Sequence, residues 1–323
     1  MKASILTRYG KPDFFQLQEV PKPSPKTNEV LIEVHAVSIN SWDWEILIAK
    51  PFINRIIAGL TKPSKIKILG CDITGQVEAI GENVSRFKPG DEVFGDTSSA
   101  DWGGFAEYAC VNEKALSHKP SSLTFEQAAC VPQAALLALQ GLQKGNIQPR
   151  QKVLINGASG GVGCFAIQIA KSFDTEVTGV CSAGKMDLVR SLGADHVIDY
   201  TQQDFTNMDN SYDLILDVKG FHSLFDYKRA LSSHGSYVLA GGCPSLINQT
   251  MFLGPLISLF SSKKMSLLLH KANKGLDTMI ELLESGKVTP VIDKCFPLSE
   301  VPQAMRYYGD GNVRGKIVIT MDY

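Results

Sequence analysis

No stretch of this 323-residue sequence is long enough and apolar enough to span a bilayer, which takes roughly 20 residues. The most apolar window, residues 251–260, is interrupted by Ser261-Ser262-Lys263-Lys264 before residues 265–269 resume it, and it reads as a loop-and-helix segment. Paired cysteines are also missing. The seven present (Cys71, Cys110, Cys130, Cys164, Cys181, Cys243 and Cys295) are scattered, odd in number and never spaced C-x-x-C. That argues against a disulfide framework or a zinc ribbon and fits a reducing compartment. Neither sign of charge is in excess: 32 Lys and Arg stand against 33 Asp and Glu, spread along the chain. Such a balance supplies no field for recruiting nucleic acid or an anionic membrane surface. The opening Met1-Lys2-Ala3-Ser4-Ile5-Leu6 lacks the apolar core and small-residue cleavage site of a signal peptide and reads as a first strand, so the expected location is the cytoplasm. The six histidines form no spaced cluster, and neither internal repeats nor low-complexity segments occur.

What is present divides into two halves of different character. Val-Leu-Ile-Glu-Val-His-Ala-Val at 30–37 is a β-rich run behind the proline cluster Pro21, Pro23 and Pro25. Gly70, Gly75, Gly81 and Gly90 then punctuate short strands, and the first ~120 residues read as all-β by this turn spacing. After Pro120 the pattern changes: Thr124 opens a capped helix, 134–142 is helical, and from Lys152 strands and helices alternate as in a doubly wound parallel sheet. The expected fold is therefore α/β, a β-rich domain over 1–122, a Rossmann nucleotide-binding domain over 123–265, and a segment 266–323 whose closing strand, 316–320, rejoins the first domain.

Gly157-Ala158-Ser159-Gly160-Gly161-Val162-Gly163 follows an apolar strand and opens a helix. There, glycines let the backbone turn sharply and approach a pyrophosphate, whose charge is held by N–H groups at the helix start. The alternative is a glycine turn that merely packs helix on strand. NAD enzymes place an acidic residue at the end of the next strand for the ribose 2′-hydroxyl. Here that strand ends Val180-Cys181-Ser182, without a carboxylate. Ser182 can donate to a 2′-phosphate, Lys185 can supply a cation and Tyr200 can flank it, so NADPH is the expected cofactor. Against this, Lys185 also reads as a solvated lysine and Tyr200 as a packing residue. Gly241 and Gly242 follow a strand at 236–240, where a Rossmann sheet meets the nicotinamide, and would admit its ring.

The order of these parts resembles the medium-chain dehydrogenase/reductase superfamily, with Gly70-Cys71-Asp72-Ile73-Thr74-Gly75 and Lys88-Pro89-Gly90-Asp91-Glu92-Val93 similar to its GroES-like catalytic-domain signature. In the family's zinc alcohol dehydrogenases a cysteine, a histidine and a second cysteine hold the metal; the matching positions here are Asn40, Cys71 and Pro132, and the four-cysteine structural zinc lobe has no counterpart. Catalytic zinc needs about three protein ligands. The resemblance is thus to the zinc-independent branch of quinone and enone reductases, supported by Asn40 and Asp43, by the glycine segment and by Ser191-Leu192-Gly193-Ala194-Asp195.

That resemblance implies hydride transfer from NADPH to a quinone or α,β-unsaturated carbonyl without metal. Asn40 would be the hydrogen-bond donor beside the acceptor oxygen or the nicotinamide amide, and its other reading is a turn residue after a strand. Trp44 is either an apolar wall for a flat acceptor or core. Cys71 is read as a small buried hydrophobe with no catalytic role. Residues 251–269 would favour lipophilic acceptors, and relatives commonly form homodimers. A catalytically idle NADPH-binding redox sensor or scaffold is the rival reading.

Overall fold

A computed structural model of the chain describes residues 1–99, 102–208 and 211–321, and it separates into two compact units. The first comprises Met1–Gln133, Ala272–Lys274 and Pro290–Tyr323; the second comprises Ala134–Lys271 and Gly275–Thr289.

In the first unit β1 (Lys2–Leu6) and β2 (Phe15–Glu19) form an antiparallel pair. The long β3 (Glu29–Ser38) is buried along most of its length because strands flank it on either side. Two helices follow, α1 (Ser41–Ile48) and α2 (Ile53–Ala58), and they correct the all-β expectation for this region. The cause is local: Asn40 is extended, and its N–H donates to the carboxylate of Asp43 three residues on, the geometry that starts a helix. Glycine spacing does not reveal such a cap.

The strands β4 (Asp72–Ile80), β5 (Glu92–Asp96), β6 (Tyr108–Asn112) and β7 (Ser117–His118) complete the amino-terminal part, with Ser38 opposite Asp72 and Asp72 opposite Asp96 in the antiparallel register. The helix α3 (Phe125–Ala129), capped by Thr124 and Gln127 in reciprocal hydrogen bonds, packs on β3 and β4. It therefore belongs to this unit, which runs to Gln133 rather than ending at 122.

The second unit begins with α4 (Ala134–Lys144). It continues through β8 (Lys152–Asn156), α5 (Gly161–Lys171), β9 (Glu176–Cys181), α6 (Met186–Ser191) and β10 (His196–Asp199). Next come β11 (Tyr212–Asp217), α7 (Leu224–Ala230), β12 (Leu231–Leu239), α8 (Pro244–Phe260), β13 (Lys264–Leu267) and α9 (Leu276–Glu284). The six strands are all parallel, in the order β10-β9-β8-β11-β12-β13. Strand order reverses between β8 and β11, the crevice where such sheets bind ligands. The segment after residue 250 is a continuous helix, with Pro255 inside it, rather than loop and helix. Because β13 pairs with β12, the chain stays in the second unit past 266 and, apart from Ala272–Lys274, returns to the first unit at Pro290.

The return brings β14 (Ile292–Pro297), α10 (Val301–Gly309) and β15 (Lys316–Thr320). The last strand pairs antiparallel with β3, as expected for the closing apolar run. Among the described residues no helix is long and apolar enough to cross a membrane.

Candidate active site

The first unit contains a buried polar cluster where β3, β4 and β15 begin or end. Asn40, Asp43, Asp72 and Lys316 are all buried, Lys316 at 3% exposure. The Lys316 ammonium donates to Asn40 Oδ1 and to the Ile39 carbonyl at 3.1 Å, and lies 3.8 Å from Asp72 Oδ2. The oxygen of the Asn40 amide is thereby taken. Its nitrogen is a donor, 3.5 Å from the Ser38 carbonyl and 3.8 Å from Cys71 Sγ, and the side chain also hydrogen-bonds the Asp72 carboxylate. Asp43 orders the turn, accepting from Asn40 N and Gly70 N, each at 2.8 Å. Burial raises its carboxyl to about 6 against those bonds, and burial likewise raises Asp72 against the attraction of Lys316.

These residues do not fit a catalytic zinc. Asn40 and Cys71 do meet, and Gln133, next to Pro132, donates its N–H to Asp72 Oδ2 at 3.2 Å, so the matched positions share one neighbourhood. A second trio, Cys71, Asp72 and Asp96, has donor atoms within 4.8 Å of one another. Yet catalytic zinc takes about three nitrogen, sulfur or carboxylate ligands, and the asparagine amide and the proline at two of the matched positions supply none of these. An ammonium already stands beside the carboxylate that a dication would need. Lys316 is the member of this cluster that sequence reading missed; in sequence it lies 276 residues from Asn40.

Trp44 turns toward α10. Its ring lies 6.2 Å from that of Tyr308, and a side chain on Gly309 would come within 2.2 Å of it, so here Trp44 is packing. The exposed aromatic is Trp42, stacked on Trp102 at 6.4 Å and unremarked in the sequence.

In the second unit the glycine segment sits at the carboxyl end of β8. Gly157 has φ +86°, a conformation that favours glycine, and its N–H and that of Ala158 bond the Val180 carbonyl at 3.2 and 3.0 Å. A Cβ on Gly163 would come 2.2 Å from the Gly157 carbonyl oxygen, so only glycine lets α5 seat this closely. Gly160 precedes α5 and no side chain caps that helix, leaving its first N–H groups, from Gly161 onward, to a ligand. Ser159 and Ala158 are buried in the turn, and Val162 lies in the first turn of α5.

Ser182 and Tyr200 follow adjacent parallel strands, paired through Cys181 and Asp199, and Tyr200 N donates to the Cys181 carbonyl at 3.1 Å. Lys185 N closes a turn on the Ser182 carbonyl at 2.9 Å. The three residues thus gather at one edge of the sheet. The carboxylate there, Asp199, is occupied by Thr201, through its N–H at 3.0 Å and its hydroxyl at 2.9 Å.

Gly241 and Gly242 serve a tighter purpose than admitting a ring. Side chains on them would meet Val218 O at 2.9 Å and Gly220 O at 2.8 Å, so they let the loops after β11 and β12 touch backbone to backbone. Beneath these loops Asp217, fully buried, accepts from Asn156 Nδ2 and from Tyr237 OH, both at 2.8 Å, tying three strand ends together. Read as strand residues, these three give no signal of the network.

Residues 26–121 match the alcohol dehydrogenase GroES-like domain, and residues 192–319 match the zinc-binding dehydrogenase family. A chloroplastic quinone oxidoreductase of Triphysaria versicolor is 35% identical over 316 residues, covering 93% of this chain and 92% of that one. A mitochondrial NAD(P)H oxidoreductase of Bos taurus is 35% identical, with 99% and 89% covered. Among solved structures, the quinone oxidoreductase from Coxiella burnetii superposes with a TM-score of 0.88 at 29% identity, covering 100% and 99%.

Proposed function

The chain belongs to the medium-chain dehydrogenase/reductase superfamily, in its quinone oxidoreductase-like part, and from that membership we propose that it is an NADPH-dependent, zinc-independent reductase of quinones or α,β-unsaturated carbonyls. The observation that carries the zinc-free part is Lys316: a buried ammonium sits beside Asn40 and Asp72, within the neighbourhood a metal would need. NADPH, when bound, supplies a hydride. The protein then has to orient the acceptor and stabilise the charge arriving on its oxygen.

Asn40 suits that second task. With Oδ1 held by Lys316, the amide cannot flip, and Nδ2 is presented as the donor. The neighbouring ammonium adds positive potential that favours an oxyanion over a neutral carbonyl. On the cofactor side, residues 157–163 would cradle the pyrophosphate, Ser182, Lys185 and Tyr200 would take the 2′-phosphate, and Gly241 and Gly242 would let the loops close on the nicotinamide. We take Trp44 out of the substrate site, because it packs on α10.

The test is oxidation of NADPH, with NADH in parallel, by purified protein stripped with chelator, against quinones and α,β-unsaturated aldehydes and ketones. Turnover that favours NADPH and survives metal removal supports the reading. Activity restored only by zinc refutes the metal-free part, and tight NADPH binding with no turnover on any acceptor favours a redox sensor instead. Homodimer formation, from the family, and a cytoplasmic location, from the sequence, accompany the proposal, and sedimentation and fractionation test them.

A further inference from the structure

Charge is even along the chain as a whole, but not between residues 50 and 67. This stretch carries Lys50, Arg55, Lys62, Lys65 and Lys67 and no acidic residue. Among the described residues none of the five is held in an ion pair. Lys50, Lys62, Lys65 and Lys67 are exposed, while Arg55 is half-buried over the Tyr9 ring. The nearest acids in sequence are Glu45, half-buried and bonded to Asn54, and Asp72, fully buried.

The apolar residues of the same stretch face the wrong way for a soluble helix. An amphipathic helix normally turns its i, i+3, i+4, i+7 stripe to the core. Here Ile53, Ile56 and Ile57 hold the first three of those positions on α2 and are 52, 49 and 49% exposed, with Phe52 before the helix at 65% and Leu60 after it at 63%, while small Ala58 faces inward. Nor is this a loose loop. Tyr9 OH donates to the Gly59 carbonyl at 2.6 Å, and the N–H groups of Ser64 and Lys65 both bond the Ala58 carbonyl. The turn at Gly59 is so tight that a Cβ would lie 2.2 Å from the Lys62 carbonyl oxygen.

We propose that residues 50–67 form a docking surface for an anionic lipid bilayer, with the isoleucines, Leu60 and Phe52 entering the headgroup–acyl boundary and the lysines reaching the phosphates. The occupant follows from the mixture. A second copy of the same surface would set five cations against five. An acidic peptide would answer the lysines and leave the isoleucines wet. An apolar groove would cover the isoleucines and strip water from the lysines. The boundary of an anionic membrane is apolar and negative at adjacent depths, and lysine side chains are long enough to satisfy both.

The full-length protein is co-sedimented with vesicles of phosphatidylcholine alone and of phosphatidylcholine mixed with phosphatidylglycerol, at low and high salt. Partition onto the anionic vesicles alone, weakened by salt, is expected. Replacing Lys62, Lys65 and Lys67 together by glutamine lowers the partition coefficient about fivefold per lysine, and Ile56→Ser with Ile57→Ser lowers it roughly tenfold or more. These side chains are exposed, so circular dichroism and turnover of a small soluble acceptor stay as in the parent. Equal partition onto neutral vesicles, no partition onto either, or binding untouched by both sets of substitutions overturns the proposal. So does tighter binding to soluble polyglutamate than to anionic vesicles, which would give the surface to an acidic protein.

Discussion

A lysine sealed inside a sheet is unfavourable unless its charge is answered, and Lys316 is answered by one carboxylate, one amide oxygen and one carbonyl. Lys316→Met leaves Asp72 buried without its cation, and urea unfolding should show a loss of about 3–5 kcal/mol. Adding Asp72→Asn to that variant should restore much of the loss, since the orphaned charge is then gone. Asp43 gives a pH signature. Burial raises its folded pKa to about 6, above its unfolded value, so its contribution to stability is fully present below the unfolded value and is lost as pH rises through about 6. The shift is worth roughly 3 kcal/mol at about 1.4 kcal/mol per unit. Relative to Asp43→Asn, the parent should therefore gain stability as pH falls from about 7 to about 4, measured by denaturant midpoints. An equal response in both would show that Asp43 is ionised normally. Asn40 and Asp43 could be singled out in the sequence because the family resemblance marks them; Lys316 could not, because only the strand pairing of β15 with β3 brings it there.

Alternating strands and helices in the second unit were legible because each element carries its own period, and the glycine segment because its flanks are a strand and a helix. The short helices α1 and α2 were not, since their apolar residues do not follow an inward stripe; α2 turns its stripe outward. At the start of α5, Gly163→Ala presses a methyl group onto backbone that cannot move aside. It should cost about 1–3 kcal/mol and weaken NADPH binding measured by fluorescence titration. Gly184→Ala, with open space at its Cβ, should do neither. At the end of β9, Ser182→Asp would exchange a donor for a carboxylate. If the 2′-phosphate binds there, the preference for NADPH over NADH should fall about 10- to 100-fold, as expected for a lost charge-assisted hydrogen bond. An unchanged ratio of kcat/KM values would place the phosphate elsewhere.

At the scale of the chain, the discontinuity of the first unit was foreseen from the apolar run at its end, whereas the crossing points were not. No local signal marks where the chain crosses, and pairing with β12 decides where β13 belongs. All three tryptophans, Trp42, Trp44 and Trp102, lie in the first unit, so intrinsic fluorescence reports on that unit alone. A chain ended after Thr289 lacks β14, β15 and Lys316. Its tryptophan emission should shift to the red of the parent's, as in unfolded protein, and native-like emission would show that the first unit closes without its last strand.

The position of β15 also orders events during synthesis. The first 133 residues leave the ribosome with the Ala36–Ser38 end of β3 lacking its β15 partner and with Asp72 still lacking its ammonium partner. Residues 134–289 are then made before the closing strand emerges, which takes roughly 8–30 s at ~5–20 residues per second. All strands of the nucleotide-binding sheet are synthesised before the last strands of the sheet that precedes it in sequence, so the earlier of the two sheets is the later to be completed.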